Sequence, residues 1–305
     1  MTAENPSGSD APSRFQAWVL ASRPKTLLAA VAPVAVGTGL AEAREEFALG
    51  PALAALVGAV LIQIGTNLAN DYYDHVRGGD TVDRVGPVRV TQAGILAPEA
   101  VRRSMWVVFG AAFLTGIYLV SVAGWPVVVI GLLSLLSGWA YTGGPFPLAY
   151  HGLGDVFVFT FFGLVAVGGT YYVQALSFDS EVLLAGSGMG ALTTAILVVN
   201  NLRDLETDAR AGKRTLAVRI GVVGTQLEYL LLLGLAFAVP LLGVALFDWT
   251  PWTFLCLLAA AAAAVPVHRV LRRGREPAAL APALGQTAGV TAVYGLLLAG
   301  GLAFG

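Results

Sequence analysis

Two stretches of the chain crowd carboxylates and carboxamides at helical spacing. The first runs Gln63-Ile-Gly-Thr-Asn67-Leu-Ala-Asn70-Asp71-Tyr-Tyr-Asp74 and continues through His75, Arg77 and Asp80. The second runs Asn200-Asn201-Leu-Arg203-Asp204-Leu-Glu206-Thr-Asp208 and continues through Arg210, Lys213 and Arg214. Asn70 and Asp74 stand four apart, as do Asn200, Asp204 and Asp208, which puts each set on one helical face. Asn67, Asp71 and Asp74 make a second stripe at i, i+4, i+7. Oxygen ligands of this kind suit Mg²⁺, which keeps some of its waters and also binds substrate phosphates. Close carboxylates repel one another unless a cation neutralises them, and the flanking Arg and Lys side chains offer charge-assisted bonds to phosphate oxygens. Two such clusters facing each other would clamp a diphosphate and stabilise it as a leaving group. Solvated loop charge explains any single Asp here, but not two matching clusters. His75, His151 and His268 have no metal-ligand spacing and read as loop or interface residues. The single cysteine, Cys256, reads as a small core residue.

The elements that must position these clusters are set by hydropathy. Of 305 residues, 56% are hydrophobic and 12% are charged, with a mean hydropathy of +0.74; an ordinary soluble domain carries about 25% charge. Lipid must therefore be the solvent for much of the chain. At about 20 apolar residues per bilayer crossing, the sequence predicts nine spans, near 25–41, 51–73, 104–123, 125–142, 153–173, 183–201, 225–247, 250–271 and 280–304. The polar residues 1–14 are expected to be a disordered tail, and 15–305 a single membrane domain. With nine spans, seventeen of the 18 Lys and Arg fall on the side of the N-terminus and of both acidic motifs; Arg44, beside Glu42, Glu45 and Glu46, is the exception. The excess of cations in cytoplasmic loops then predicts a multi-pass protein of the cytoplasmic (plasma) membrane, its N-terminus and motif-bearing loops cytoplasmic. The motifs end the second and sixth spans, four apart, so the pattern Asn-x-x-x-Asp recurs at equivalent points of two four-helix units.

At these residues the chain resembles the UbiA superfamily of membrane prenyltransferases. The superfamily's Asn-Asp-x-x-Asp motif is matched by Asn70, Asp71 and Asp74, and its Asp-x-x-x-Asp motif by Asp204 and Asp208. Within the superfamily it is most similar to the branch of 1,4-dihydroxy-2-naphthoate polyprenyltransferases (MenA). That similarity rests on Arg23-Pro-Lys25-Thr, Asn67 to Asp80, Arg84-Val-Gly-Pro-Val-Arg89-Val-Thr-Gln92-Ala-Gly94, Tyr141-Thr-Gly-Gly-Pro145, Leu153-Gly-Asp155 and Asn200 to Thr215. The resemblance covers about residues 15 to 304.

What the resemblance implies is an all-α ring of nine helices around a central cavity open to lipid. A polyprenyl tail would lie among apolar helices while its diphosphate meets the acidic clusters. Asn70, Asp71, Asp74, Asp204 and Asp208 would hold Mg²⁺, with Asp80 and Asn200 assisting. Asp71, Asp74, Asp204 and Asp208 would be the catalytic set. Arg77, Lys213 and Arg214 are the expected diphosphate contacts. Arg84 and Arg89 would meet diphosphate or the naphthoate carboxylate, and Arg23, Lys25 and Tyr141 are further substrate candidates. Phe157, Phe161 and Tyr171 are read as core or lipid contacts. The expected partners are polyprenyl diphosphate, 1,4-dihydroxy-2-naphthoate and membrane lipid, with no nucleic acid. The product would be demethylmenaquinone, released with diphosphate and CO₂. Two other readings remain open: a UbiA-like enzyme for another acceptor (hydroxybenzoate or homogentisate), and a cation-coupled transporter, which should carry ionisable groups near mid-membrane.

Overall fold

The computed structural model describes residues 12–78 and 88–304. Among them there is no strand. A short helix α1 (Arg14–Ser22) is followed by α2 (Pro24–Ala43), α3 (Leu49–Val76), α4 (Pro98–Ala123) and α5 (Trp125–Ala140). After a 3₁₀ turn at Leu148–His151 come α6 (Gly154–Ala175), α7 (Ser180–Arg203) and the short α8 (Leu205–Arg210). The chain closes with α9 (Leu216–Phe247), α10 (Pro251–Arg273) and α11 (Pro277–Ala303). Of these, α2, α3, α4, α6, α7, α9, α10 and α11 are long and apolar enough to cross a membrane. The expected fourth span, α5, has only 16 residues, or about 24 Å of rise against a hydrocarbon core of about 30 Å. It nevertheless runs from the α4 turn at Gly124 to Trp139, whose indole donates to Tyr73 Oη at 3.0 Å near the end of α3.

Neighbours in sequence pack side by side from α2 to α11, and α11 returns against α2, so the long helices close a ring. Close approach of α2 to its neighbours depends on two missing side chains. A Cβ on Gly39 would stand 2.5 Å from the Ala299 carbonyl oxygen of α11, and one on Gly37 2.5 Å from that of Val167 in α6. Small residues of this kind let helix backbones touch in lipid. The larger core surrounds α7, whose Met189 and Leu192 are buried with Leu40, Tyr229 and Tyr294. Buried hydroxyls find partners, as a lipid-solvated fold requires: Tyr294 donates to the Ala236 carbonyl at 2.7 Å, and Tyr229 pairs with Thr287 at 2.9 Å. A second core joins Ala17 and Ala21 of α1 to Leu68, Val90, Met105 and Phe109. It seats the segment from Val90 to Leu96. Outside, α4 and α9 present Val107, Leu114, Leu231 and Leu246, as expected of surfaces solvated by lipid.

Candidate active site

Both motifs arrive at the same end of the ring, one on the last turns of α3 and the other on α7 and α8. Between α2, α3, α4, α5, α6 and α7 lies a cavity of about 700 Å³. Its charged lining comes from Arg23, Asp74, Arg89, Asp208 and Lys213, all at the motif end; the rest of its depth is apolar or weakly polar. Mid-cavity charge of the kind an ion path needs is absent among the described residues.

From the first motif, Asp74 enters the cavity and is almost completely buried. Its Oδ2 lies 3.3 Å from an Arg89 amino group, and its Oδ1 accepts the Tyr150 hydroxyl at 3.0 Å. Asn70 lines the same wall, its Oδ1 accepting from Thr142 Oγ1 at 2.8 Å. From the second motif come Asn200, Asn201 and Asp208, the last 3.7 Å from Lys213 Nζ. Tyr141 also lines the cavity. The two halves are stitched together by Tyr150. Its ring lies 5.4 Å from Lys213 Nζ, and its carbonyl accepts the Arg214 N–H at 3.0 Å. Arg23 reaches the cavity from the α1–α2 junction with φ of 51°. That left-handed backbone costs a non-glycine residue on the order of 1–3 kcal/mol and persists where the surroundings enforce it. Asn67 supplies the enforcement, donating to the Ser22 carbonyl at 2.9 Å and to Thr26 at 3.0 Å.

Other expected residues stand elsewhere. Asp71, 1% exposed, points away from the cavity, and accepts the backbone N–H groups of Thr91 at 2.9 Å and Val90 at 3.3 Å. It anchors the segment that delivers Arg89. Asp204 is clamped by the guanidinium of Arg203 through two bonds of 2.7 Å, and the same Arg203 holds Asn200 at 2.8 Å. Arg77 turns to the carbonyls of Thr142 and Gly144 and lies over the Tyr73 and Tyr150 rings, bracing the loop after α5. Lys25 and Arg214 are exposed and do not line the cavity. Asp80 and Arg84 lie outside the described residues. Phe157 and Phe161, read as core or lipid contacts, instead line the cavity as a stacked pair with centroids 5.9 Å apart. Tyr171 is buried away from it, donating to Asp179.

Sequence reasoning missed Tyr150, Thr142 and Asn201. Tyr150 and Thr142 sit in a loop of Gly and Pro with no periodicity to betray them, whereas Asn201 lay in plain view beside Asn200.

Among the described residues, no three His, Cys, Asp or Glu side chains converge as a metal site. Asp74 and Asp208, with Asn70 and Asn200, are hard oxygen donors. Such a set matches the way Mg²⁺ binds through one or two carboxylates and completes its shell with waters and substrate phosphates. The donor set therefore fits a metal carried in with a diphosphate rather than a preformed protein cage.

Comparison with known proteins agrees with this geometry. The chain is 42% identical over 291 residues, 95% of this chain and 98% of the relative, to a 1,4-dihydroxy-2-naphthoate octaprenyltransferase of Mycobacterium tuberculosis. It is 36% identical over 307 residues to the Haemophilus influenzae protein of the same name, covering 96% of this chain and 97% of the relative. A UbiA homolog from Archaeoglobus fulgidus, solved bound to DMAPP and Mg²⁺, shares the fold with a TM-score of 0.56 at 14% identity, covering 92% of this chain and 98% of that one. The model of the UbiA prenyltransferase family matches residues 30–302. The chain, with its two acidic motifs meeting at one end of an apolar cavity in a helical ring, belongs to that family of multi-pass membrane proteins.

Proposed function

We propose that the protein transfers a polyprenyl group from a polyprenyl diphosphate to 1,4-dihydroxy-2-naphthoate, releasing diphosphate and CO₂ and forming demethylmenaquinol, the reduced form of demethylmenaquinone. The observation that carries the reading is the meeting of Asp74 and Asp208, one from each motif, with Arg23, Arg89 and Lys213 at the polar end of an otherwise apolar cavity. A donor with a charged head and a long hydrocarbon tail matches that division, and two relatives over nearly full length carry the name of the naphthoate enzyme.

In this reading Asp74 and Asp208, assisted by Asn70 and Asn200, hold Mg²⁺, which would neutralise charge on the departing diphosphate. Arg89 and Lys213 donate to its oxygens; both already face carboxylates, so their charges are placed before substrate arrives. Arg23 does the same from the α1–α2 junction. The allylic C–O bond breaks with its electron pair leaving on diphosphate. The naphthoate ring carbon bearing the carboxylate forms the new C–C bond, and loss of CO₂ returns the electron pair to the ring. Phe157 and Phe161 bring aromatic rings to the cavity wall, where they would stabilise a cation-like allyl centre, and the apolar walls keep water from it. Asp71, Asp204 and Arg203 serve as positioning residues. With α5 counted as a short crossing beside the eight longer helices, the excess of cations at the motif end supports a cytoplasmic orientation of that end, at the plasma membrane.

Purified protein in detergent, given Mg²⁺, a polyprenyl diphosphate and dihydroxynaphthoate, should form prenylated product with diphosphate and CO₂, and Asp208→Ala should abolish it. Full activity in that variant would overturn the metal assignment. Turnover of hydroxybenzoate but not dihydroxynaphthoate would overturn the acceptor.

A further inference from the structure

We infer that Gly116 and Gly131 form the passage through which the donor's isoprenoid tail runs toward the far end of the cavity, and that their lack of side chains sets the longest donor accepted. The inference rests on the prenyl-transfer reading and extends it to chain-length selection.

Gly116 lies on the cavity face of α4 with Phe113, Ile117 and Val120, spaced i, i+3, i+4, i+7. Gly131 lies on the cavity face of α5 with Val128 and Leu132. The two helices run antiparallel through the turn at Gly124, and the glycines stand eight residues before it and seven after it. They therefore occupy the same depth on adjoining walls. Most glycines that line this cavity do so against a neighbour: a Cβ on Gly138 would meet Thr66 Oγ1 at 2.6 Å, and one on Gly169 Ile130 at 3.6 Å. A Cβ on Gly116 or Gly131 would meet nothing within 4 Å. At both positions the cavity is open where a side chain would otherwise project into it, and beyond them it continues to Val127 and Val173.

Depth sets the selection. Gly131 is ten residues from Tyr141 at the polar end, about 15 Å of helical rise. A geranyl tail, eight bonds of about 1.5 Å from its oxygen, reaches at most about 12 Å and ends above the glycines. A geranylgeranyl tail, sixteen bonds and at most about 24 Å, must pass them.

The test is prenylation of dihydroxynaphthoate by the full chain in detergent with Mg²⁺, comparing geranyl and geranylgeranyl diphosphate. The variants are Gly131→Trp and Gly116→Phe, with Leu at each position as a smaller obstruction that the fold accommodates more easily. Expected is a roughly tenfold or larger loss of kcat/KM for the longer donor, while geranyl turnover stays near wild type and so reports a folded site. An unchanged ratio between donors, or equal loss for both in the Leu variants, overturns the inference while the wild type remains active. A wild type inactive with both donors overturns the prenyl-transfer reading on which it rests.

Discussion

The Tyr150 hydroxyl donates to Asp74 Oδ1 at 3.0 Å. That one bond links the first acidic motif to a loop whose backbone and aromatic ring grip the second, through the Arg214 N–H and Lys213. The two motifs are therefore bridged by a residue in neither of them.

Tyr150→Phe keeps the ring under Lys213 and Arg77 and removes only the hydroxyl. A net hydrogen bond is worth about 1 kcal/mol, so kcat/KM should fall roughly fivefold with little change in thermal stability. Tyr150→Ala also removes the ring and should cost considerably more. Steady-state kinetics on the two variants checks this; equal losses would mean that the hydroxyl alone carries the effect.

Adjacent acids of the first motif should fail in different ways. Asp74→Asn removes charge inside the cavity and should lower kcat roughly a hundredfold, the scale of losing one preorganised electrostatic contact, while raising the Mg²⁺ concentration needed for turnover. Asp71→Asn leaves the cavity lining intact but puts an amide nitrogen against the N–H of Val90 or Thr91. One buried donor then loses its acceptor, at about 1–3 kcal/mol. It should appear as a lower melting temperature and a raised KM for the diphosphate as Arg89 shifts, with the Mg²⁺ dependence unchanged. Titrating Mg²⁺ against both variants separates the roles.

That split shows where sequence spacing reaches its limit. Helical periodicity brought Asn70, Asp74, Asn200 and Asp208 to the right end of the right helices, and hydropathy located all nine apolar segments to within a few residues at most ends. Periodicity alone does not say which of two adjacent carboxylates faces the cavity. Asp71 and Asp74 share a stripe, yet only Asp74 reaches the cavity, because the 88–96 segment packs on the other flank of α3. Arg77 is expected from the sequence as a diphosphate contact beside Lys213 and Arg214, but the loop carbonyls of Thr142 and Gly144 claim it. Such competition depends on a loop with no periodic pattern, and so does the role of Tyr150.

Metal and diphosphate should bind as one unit. Asp74 and Asp208 approach the cavity from different helices without a third acid among the described residues, so Mg²⁺ alone has few protein ligands. A ligand at free concentration c stabilises the folded state by RT ln(1 + c/Kd), so one that binds weakly on its own adds little. Mg²⁺ or a prenyl diphosphate added singly should therefore shift the melting temperature little, and both together should raise it by several degrees. Chelation should abolish turnover and cancel the joint shift, and Mg²⁺ should restore both. A full shift with Mg²⁺ alone would point to a preformed cage.

The opposite end of the ring should carry stability without activity. Glu181 at the start of α7 is 2% exposed; its Oε1 accepts from Arg44 Nε at 2.7 Å and its Oε2 from Trp249 Nε1 at 2.7 Å. It thereby ties the end of α2 and the α9–α10 turn to α7. Arg44 is half exposed, so its ion pair is screened by solvent and adds little. The Trp249 indole is buried, and an unpaired N–H there costs about 1–3 kcal/mol. Glu181→Gln retains one acceptor oxygen and Glu181→Ala none, so melting temperatures should fall in the order wild type, Gln, Ala. Glu181 stands nineteen residues from Asn200 along α7, or about 28 Å, with no shared partner. Below their melting temperatures both variants should keep kcat and KM within about twofold of wild type, as separated sites do. A changed KM without a changed melting temperature would mean that the far end of the ring communicates with the diphosphate site.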